Sequence, residues 1–465
     1  MKKILWGSST NAQQYEGGVH EGGKGKSIAD VRVLSNNYSN FDVASDGYHR
    51  YAEDIDLYAK MGFSIYRFSI SWTRIFPNGD DAEPNQAGLE YYDKVVDYLI
   101  KKGITPVATL YAYDLPESLL DRYEGWVSRK TIDAYVRYVS TIFKHFEGRI
   151  KYYVPFNEPN LFHVDSEYIA GNKGLTGNKL WNAEHHLTVA YASACIACHE
   201  LDPSAKIGPN SAYGVNYPKS TSPADVAKWQ ETNYTTNLAY YDVYVRGAYP
   251  KFFLNWLRQK GVELDITAKD KYIIANAHPD YVSCTYYMSN IVAANGDQDP
   301  TVSRPSKEFQ GAIVQRNSTY KDPDRPENEW GWTIDAPAFY SQLMDIYERY
   351  QLPILILENG IAHTEQLDEN NKVNDDYRID YLADHIAQMK KAIADGVDII
   401  GYLTWSAIDL HSTREGFVKR YGFIYVDRDE HDLKTLNRYP KKSFYWYKQV
   451  TASNGDDLSK DKIDY

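Results

Sequence analysis

Cysteine is scarce in this chain, with three residues in 465, an odd number that supplies no disulfide framework. Such sparse usage fits a reducing compartment. Long apolar runs are also missing. No stretch of eighteen apolar residues occurs, which excludes a spanning helix by hydropathy. The opening "MKKILWGSST" carries a run of only three apolar residues before Gly7, too short for the apolar core of a signal peptide. Basic charge is in deficit, at 51 Lys and Arg against 63 Asp and Glu. A net charge of -12 is the wrong balance for coating nucleic acid or an anionic membrane. Internal repeats and low-complexity segments are absent as well. These absences lead to the expectation of a soluble, cytoplasmic protein with no nucleic-acid or membrane partner. Any anion it binds has to be met by a local group of cations.

Aromatic residues, by contrast, are plentiful. There are 42 Tyr and 10 Trp, rings with apolar faces and polar tips that suit stacking on sugars, although most such rings simply pack. Short β-branched runs alternate with longer segments of helical period, the pattern of parallel strands joined by helices. Eight strand candidates stand at 4–7, 65–70, 104–110, 152–156, 206–208, 281–287, 354–357 and 399–404. Helical stretches between them include "YHRYAEDIDLYAKMG", "GLEYYDKVVDYLIKKG", "TIDAYVRYVSTIFKHF", "LWNAEHHLTVAYASACIACHEL", "PAFYSQLMDIYERYQ" and "DYRIDYLADHIAQMKKAIADG". The length would allow two or three domains. Eight alternating strands instead favour one α/β domain over 1–465, a single (β/α)8 TIM barrel with long inserted βα loops. Polar, Pro- and Gly-rich stretches at 214–233 and 294–328 read as insertions at the barrel top.

Catalytic groups in such a barrel sit at the C-terminal ends of strands. Two carboxylates stand there. "YYVPFNEPN" places Asn157 and Glu158 after the fourth strand, and "ILILENG" places Glu358 and Asn359 after the seventh. Taken singly, each also reads as an ordinary turn after a strand. Together at one mouth they are the pair that glycoside hydrolysis requires, one protonating the leaving oxygen while the other attacks C1 or activates water.

The segments "LWGSSTNAQQYEGG", "YHRYAEDIDLYAKMGFSIYRFSISWTRIFPNG", "FNEPN", "EWGWTID", "ILENG" and "KRYGFIYVDRD" occur in that order. Over nearly its whole length the chain resembles glycoside hydrolase family one, which includes β-glucosidases and 6-phospho-β-glycosidases. The resemblance implies a (β/α)8 barrel hydrolysing β-glycosides with retention, without metal or cofactor. It implies Glu158 as acid/base, Glu358 as nucleophile, Arg67 as the guanidinium keeping the nucleophile ionised and Tyr287 as its hydrogen-bond donor. Asn157 would grip the sugar 2-OH, and Gln14 and Trp405 would form floor and wall of the sugar subsite. Retention implies carboxyl groups about 5 to 5.5 Å apart.

Within "HSTREGFVKRYG" the resemblance singles out three residues. Members acting on unphosphorylated sugars usually have Glu where this chain has Ser412, and a carboxylate there would repel a sugar 6-phosphate. Ser412, Lys419 and Tyr421 have spacing similar to the phosphate site of the 6-phosphoglycosidases. In an extended segment Lys419 and Tyr421 point one way and Arg420 the other. A basic turn at the surface would look much the same, but the Glu-to-Ser change favours a phosphate ligand. The expected substrate is therefore a phosphorylated disaccharide or aryl β-glucoside, the reaction being 6-phospho-β-glucosidase hydrolysis. An unphosphorylated β-glucosidase or β-galactosidase, and a 6-phospho-β-galactosidase, are the alternatives. Aglycone and oligomeric state stay open.

Several departures and decoys accompany the match. Ala112 replaces a His that contacts the sugar 3-OH in relatives, which removes a donor and is expected to open space. Thr285 and Leu357 replace Asn and Thr, and are expected to adjust support for the nucleophile. Thr413 replaces the Trp of phospho-galactosidases and favours a gluco sugar. The run Cys195 to His199 matches a haem-attachment pattern, yet it lies in a helical stretch where both cysteines read as small core residues. His163, His185 and His186 lack metal-like spacing and read as helix-surface, loop or packing residues. A barrel that binds sugar phosphate without turnover is countered by the presence of both glutamates.

Overall fold

The computed structural model describes residues 3–34, 37–295, 324–461, 463 and 465. Most of the expected insertion at 294–328 lies outside them. The described strands are β1 Leu5–Ser9, β2 Ile65–Ser69, β3 Thr105–Thr109, β4 Tyr152–Val154, β5 Lys206–Ile207, β6 Asn210–Ala212, β7 Val215–Pro218, β8 Val282–Tyr286, β9 Ser289–Val292, β10 Ile354–Asn359, β11 Ile399–Trp405, β12 Ile424–Val426 and β13 Arg438–Pro440. Nine of them form one sheet in the order β5-β4-β3-β2-β1-β11-β10-β8-β6. Its two ends are consecutive pieces of chain. β5 pairs with β4 and β6 with β8, all parallel, so the sheet closes through Gly208 and Pro209. There Gly208 N donates to Tyr153 O at 3.2 Å and Ser283 N to Pro209 O at 2.9 Å. The expected fifth strand is thus two short strands, because a proline cannot donate to the ladder.

A parallel sheet needs both faces covered, and its strands are buried almost throughout. Alternation divides them. Ile65, Val107, Val154, Leu355, Leu357 and Leu403 cluster inside the barrel, while Tyr66, Phe68, Ile354 and Ile356 pack outward against the helices. Each fully buried aliphatic side chain contributes about 1.5–3 kcal/mol. All six quoted helical stretches are helices. Gln86–Lys101, for example, buries Leu89, Tyr92, Val95, Val96 and Leu99 along one face, and Gly103 follows it with φ 74°, the left-handed stop that glycine permits. The stretch at 214–233 forms β7 and the helix Pro223–Thr232, and β7 pairs in parallel with β9. β12 and β13 form an antiparallel pair after the last barrel strand. Among the described residues no helix is long and apolar enough to cross a membrane.

Candidate active site

Glu358 is the penultimate residue of β10, a strand whose alternation points the wrong way. Leu357 faces the barrel interior, so strict period two would aim Glu358 outward at the helices. The pairing with β8 shifts register between Ile356 and Glu358, and such an irregularity re-aims the side chain that follows. Glu358 consequently lines the pocket at the barrel mouth. Glu158 reaches the same pocket by a different device. It follows β4 in the left-handed region, φ 43° and ψ 51°, a conformation costing a residue with Cβ roughly 1–2 kcal/mol. Both carboxylates are buried, at 7% and 5% exposure.

Their hydrogen bonds differ. Glu358 Oε1 accepts from Arg67 Nη1 at 2.5 Å, and Oε2 from the Tyr287 hydroxyl at 2.6 Å. Arg67 also donates to Asn157 Oδ1 at 2.6 Å and, through Nε, to Thr109 Oγ1 at 2.7 Å. One planar cation therefore sets the nucleophile candidate and its neighbour together. Among the described residues no cation pairs directly with Glu158, and the Arg67 charge acts on it only weakly. It accepts from Thr285 Oγ1 at 2.5 Å and from the Tyr113 hydroxyl at 2.9 Å. Burial, with the Glu358 charge second, pushes its pKa from 4.5 up to about 7. One carboxyl is thereby poised to give a proton near neutral pH while the other is held by a guanidinium and a phenol.

The pocket encloses about 670 Å³ including its open mouth, and its lining takes in Gln14, Trp405, Ser412, Lys419 and Tyr421 besides the two glutamates. An antiparallel bridge between His363 and Arg420 makes the 419–421 segment extended, with N–H to O distances of 3.1 Å in both directions. Arg420 turns away to Asp409, 2.9 Å distant, which also takes Lys441 at 2.7 Å. Lys419 and Tyr421 accordingly face the pocket. The Lys419 ammonium is 4.1 Å from the ring centre of Trp332 and 4.9 Å from that of Trp330. Burial lowers its pKa, opposed by Glu415. Burial likewise pushes the Tyr421 hydroxyl well up, with Glu415 adding to the effect and Ser412 opposing it.

All ten expected residues lie at or beside this pocket. Nine line it, and Arg67 stands just behind Glu358 and Asn157. Asn157 has its amide committed, accepting from Arg67 and from Asn210 Nδ2 at 2.9 Å and donating to Tyr113 Oη at 3.1 Å. Gln14 donates to His411 O at 2.7 Å, tying the short helix Ala12–Tyr15 that follows β1 to the loop after β11.

Three expectations need correction. Thr285 supports Glu158, not the nucleophile candidate, because its hydroxyl donates to Glu158. Leu357 packs inside the barrel and offers Glu358 no polar support. Ala112 opens no space in the pocket; it is 1% exposed and outside the lining, its carbonyl accepting from Gln13 Nε2 at 3.0 Å. Two contributors were missed. Tyr113, left-handed at φ 65°, sits in the "TLYAYDLP" segment already singled out. Glu415 carried no local signal, since an acidic residue in a basic loop reads as surface.

The decoys resolve into packing. Cys195 and Cys198 are buried free thiols in the helix Gly177–Leu201, and burial pushes Cys195 up to about 12. His163, His185 and His186 are buried rather than on a helix surface. His185 lies 3.3 Å from Asp270, with burial lowering its pKa to about 4. Among the described residues no three His, Cys, Asp or Glu side chains group so as to hold a metal ion.

Comparison with known proteins agrees with this geometry. The model of glycosyl hydrolase family 1 matches residues 1–456. An aryl-phospho-β-D-glucosidase of Bacillus subtilis is 41% identical, with 98% of each chain covered. A phospho-cellobiase of Klebsiella oxytoca is 40% identical over the same shares. Among solved structures, a family 1 β-glucosidase from Thermotoga maritima superposes with a TM-score of 0.86 at 32% identity, covering 98% of both chains. On sequence and on fold alike, the chain belongs to glycosyl hydrolase family 1.

Proposed function

We propose that this protein is a cytoplasmic hydrolase that cleaves 6-phospho-β-D-glucosides with retention, releasing glucose 6-phosphate and the aglycone. Glu358 attacks C1 while Glu158 gives its proton to the departing glycosidic oxygen, leaving the sugar esterified on Glu358. Esterification removes the Glu358 charge. Because that charge helps to raise the Glu158 pKa, its loss favours ionised Glu158, which then takes a proton from the attacking water. Hydrolysis of the ester regenerates both groups. Asn157, fixed by Arg67 and Asn210, is placed against the 2-OH beside C1. Thr413 on the pocket wall leaves room for a gluco-configured sugar.

One observation carries the phosphate part of this reading. The Lys419 ammonium, 2% exposed in its side chain, is held in the wall of the same pocket as both glutamates, with Ser412 and Tyr421 beside it. A buried ammonium is costly unless an anion meets it. The relatives' names, aryl-phospho-β-D-glucosidase and phospho-cellobiase, support the same substrate class.

The test compares nitrophenyl β-glucoside with and without a 6-phosphate, on wild type and Lys419→Ala. A hydrogen bond to a charged group is worth about 1.5–3 kcal/mol, so kcat/KM on the phosphorylated substrate should fall about ten- to a hundredfold. The neutral substrate should lose far less. Equal losses on both, or a wild-type preference for the neutral glucoside, would hand the function to an unphosphorylated β-glucosidase.

A further inference from the structure

The pocket wall assigned to phosphate already holds an anion of its own. Glu415 Oε2 accepts from Ser412 Oγ at 3.0 Å, and Oε1 lies 3.5 Å from Lys419 Nζ. We propose that the Glu415 carboxylate stands in for the substrate phosphate in the free enzyme and competes with it for Ser412 and Lys419, which makes Glu415 a determinant of specificity. The proposal rests on the phosphate reading of those two residues.

Lys419 is buried, which removes most of the contact with solvent that stabilises an ammonium, and Glu415 is a carboxylate paired with it. A phosphate dianion entering the same two donors would face a carboxylate at contact distance, a repulsion relieved by departure of one anion or by protonation of the carboxylate. Finally, the backbone that carries Glu415 is fixed. Ser412 N donates to Gly416 O at 2.9 Å, and His411 lies 2.7 Å from Ser412 O and 2.6 Å from Ser39 O. Glu430 accepts from the backbone N–H groups of Phe417 and Val418 on one oxygen, and from Ser39 N at 2.9 Å on the other. Displacement therefore falls to rotation of the Glu415 side chain, without movement of the loop. A neutral sugar has nothing with which to displace it, so the exchange of one anion for another discriminates between the two substrates.

Glu415→Gln keeps the shape and removes the charge, and Glu415→Ala removes both. If the carboxylate occupies the site for most of the time, each variant should bind inorganic phosphate about three- to tenfold more tightly by titration calorimetry, in proportion to the released fraction. KM for nitrophenyl 6-phospho-β-glucoside should fall by a similar factor relative to KM for the unphosphorylated glucoside. Unchanged or weaker phosphate binding in both variants would overturn the proposal, and would assign Glu415 to holding Lys419 in place. Lys419→Ala separates the two claims. If the preference for phosphorylated substrate survives in that variant, the phosphate reading fails, and this inference fails with it. If the preference is lost while the Glu415 variants behave as wild type, only this inference fails.

Discussion

Arg67 reaches Glu358 across 291 positions of sequence, its Nη1 lying 2.5 Å from Glu358 Oε1 with both side chains buried. Removing one partner of such a pair leaves the other as an uncompensated buried charge, typically at a cost of about 3–5 kcal/mol. Arg67→Met should therefore lower stability by about that amount in urea or thermal unfolding, and should also sharply reduce turnover. Arg67→Lys keeps the charge but cannot hold Glu358 and Asn157 with separate nitrogens of one plane. It should recover part of the stability and little of the rate.

In the proposed mechanism the Glu158 carboxyl, raised to about 7, has to be protonated for the first chemical step. The basic limb of kcat/KM is thus expected near pH 7, and it should vanish in Glu158→Gln on substrates with activated aryl leaving groups, which need no proton. Stability follows the same titration. The folded value lies above the unfolded one of 4.5, so the folded state retains the proton longer. The stabilisation is full below about pH 4.5 and is lost as pH rises through about 7. At roughly 1.4 kcal/mol per unit, this loss amounts to about 3 kcal/mol as an upper bound. Glu158→Gln should accordingly be the more stable protein above pH 7. Thr285→Val, which removes a donor that lowers the Glu158 value, should move the basic limb to higher pH.

Gly416 precedes the segment pinned by Glu430 and has φ 59°. A Cβ there would come within 2.2 Å of Glu430 Oε1. Gly416→Ala should break the hold of Glu430 on Phe417 and Val418. The expected result is a higher KM for phosphorylated substrates, together with a stability loss of roughly 1–2 kcal/mol or more from the left-handed backbone alone.

Much of this site could be read from the chain, and what escaped did so for identifiable reasons. Strand-end position predicted that Glu158 and Glu358 would meet at one mouth, and both line the same pocket. Period two separated Lys419 and Tyr421 from Arg420, and the structure has Arg420 on Asp409. The break at Gly208 and Pro209 was hidden, because two short strands with different neighbours look like one. The partner of Thr285 was hidden as well. Its side chain meets a residue 127 positions away, a relation set by barrel closure rather than by any local pattern. Glu415 was hidden most thoroughly. Its place between Ser412 and Lys419 exists only once the loop has folded back on itself.

The anchoring of residues 411–418 also bears on how substrate preference can change. Glu430 and Ser39 hold that loop from outside the barrel, and Gln14 ties its first residue to the short helix after β1. The side chains facing the sugar thus hang from a frame whose supports take no part in bond cleavage. Such a frame behaves as an exchangeable cassette. On the proposed reading, residues at 412, 413, 415 and 419 can be rewritten for a new group at C6 while β2, β4 and β10, which carry or precede Arg67, Glu158 and Glu358, keep their register.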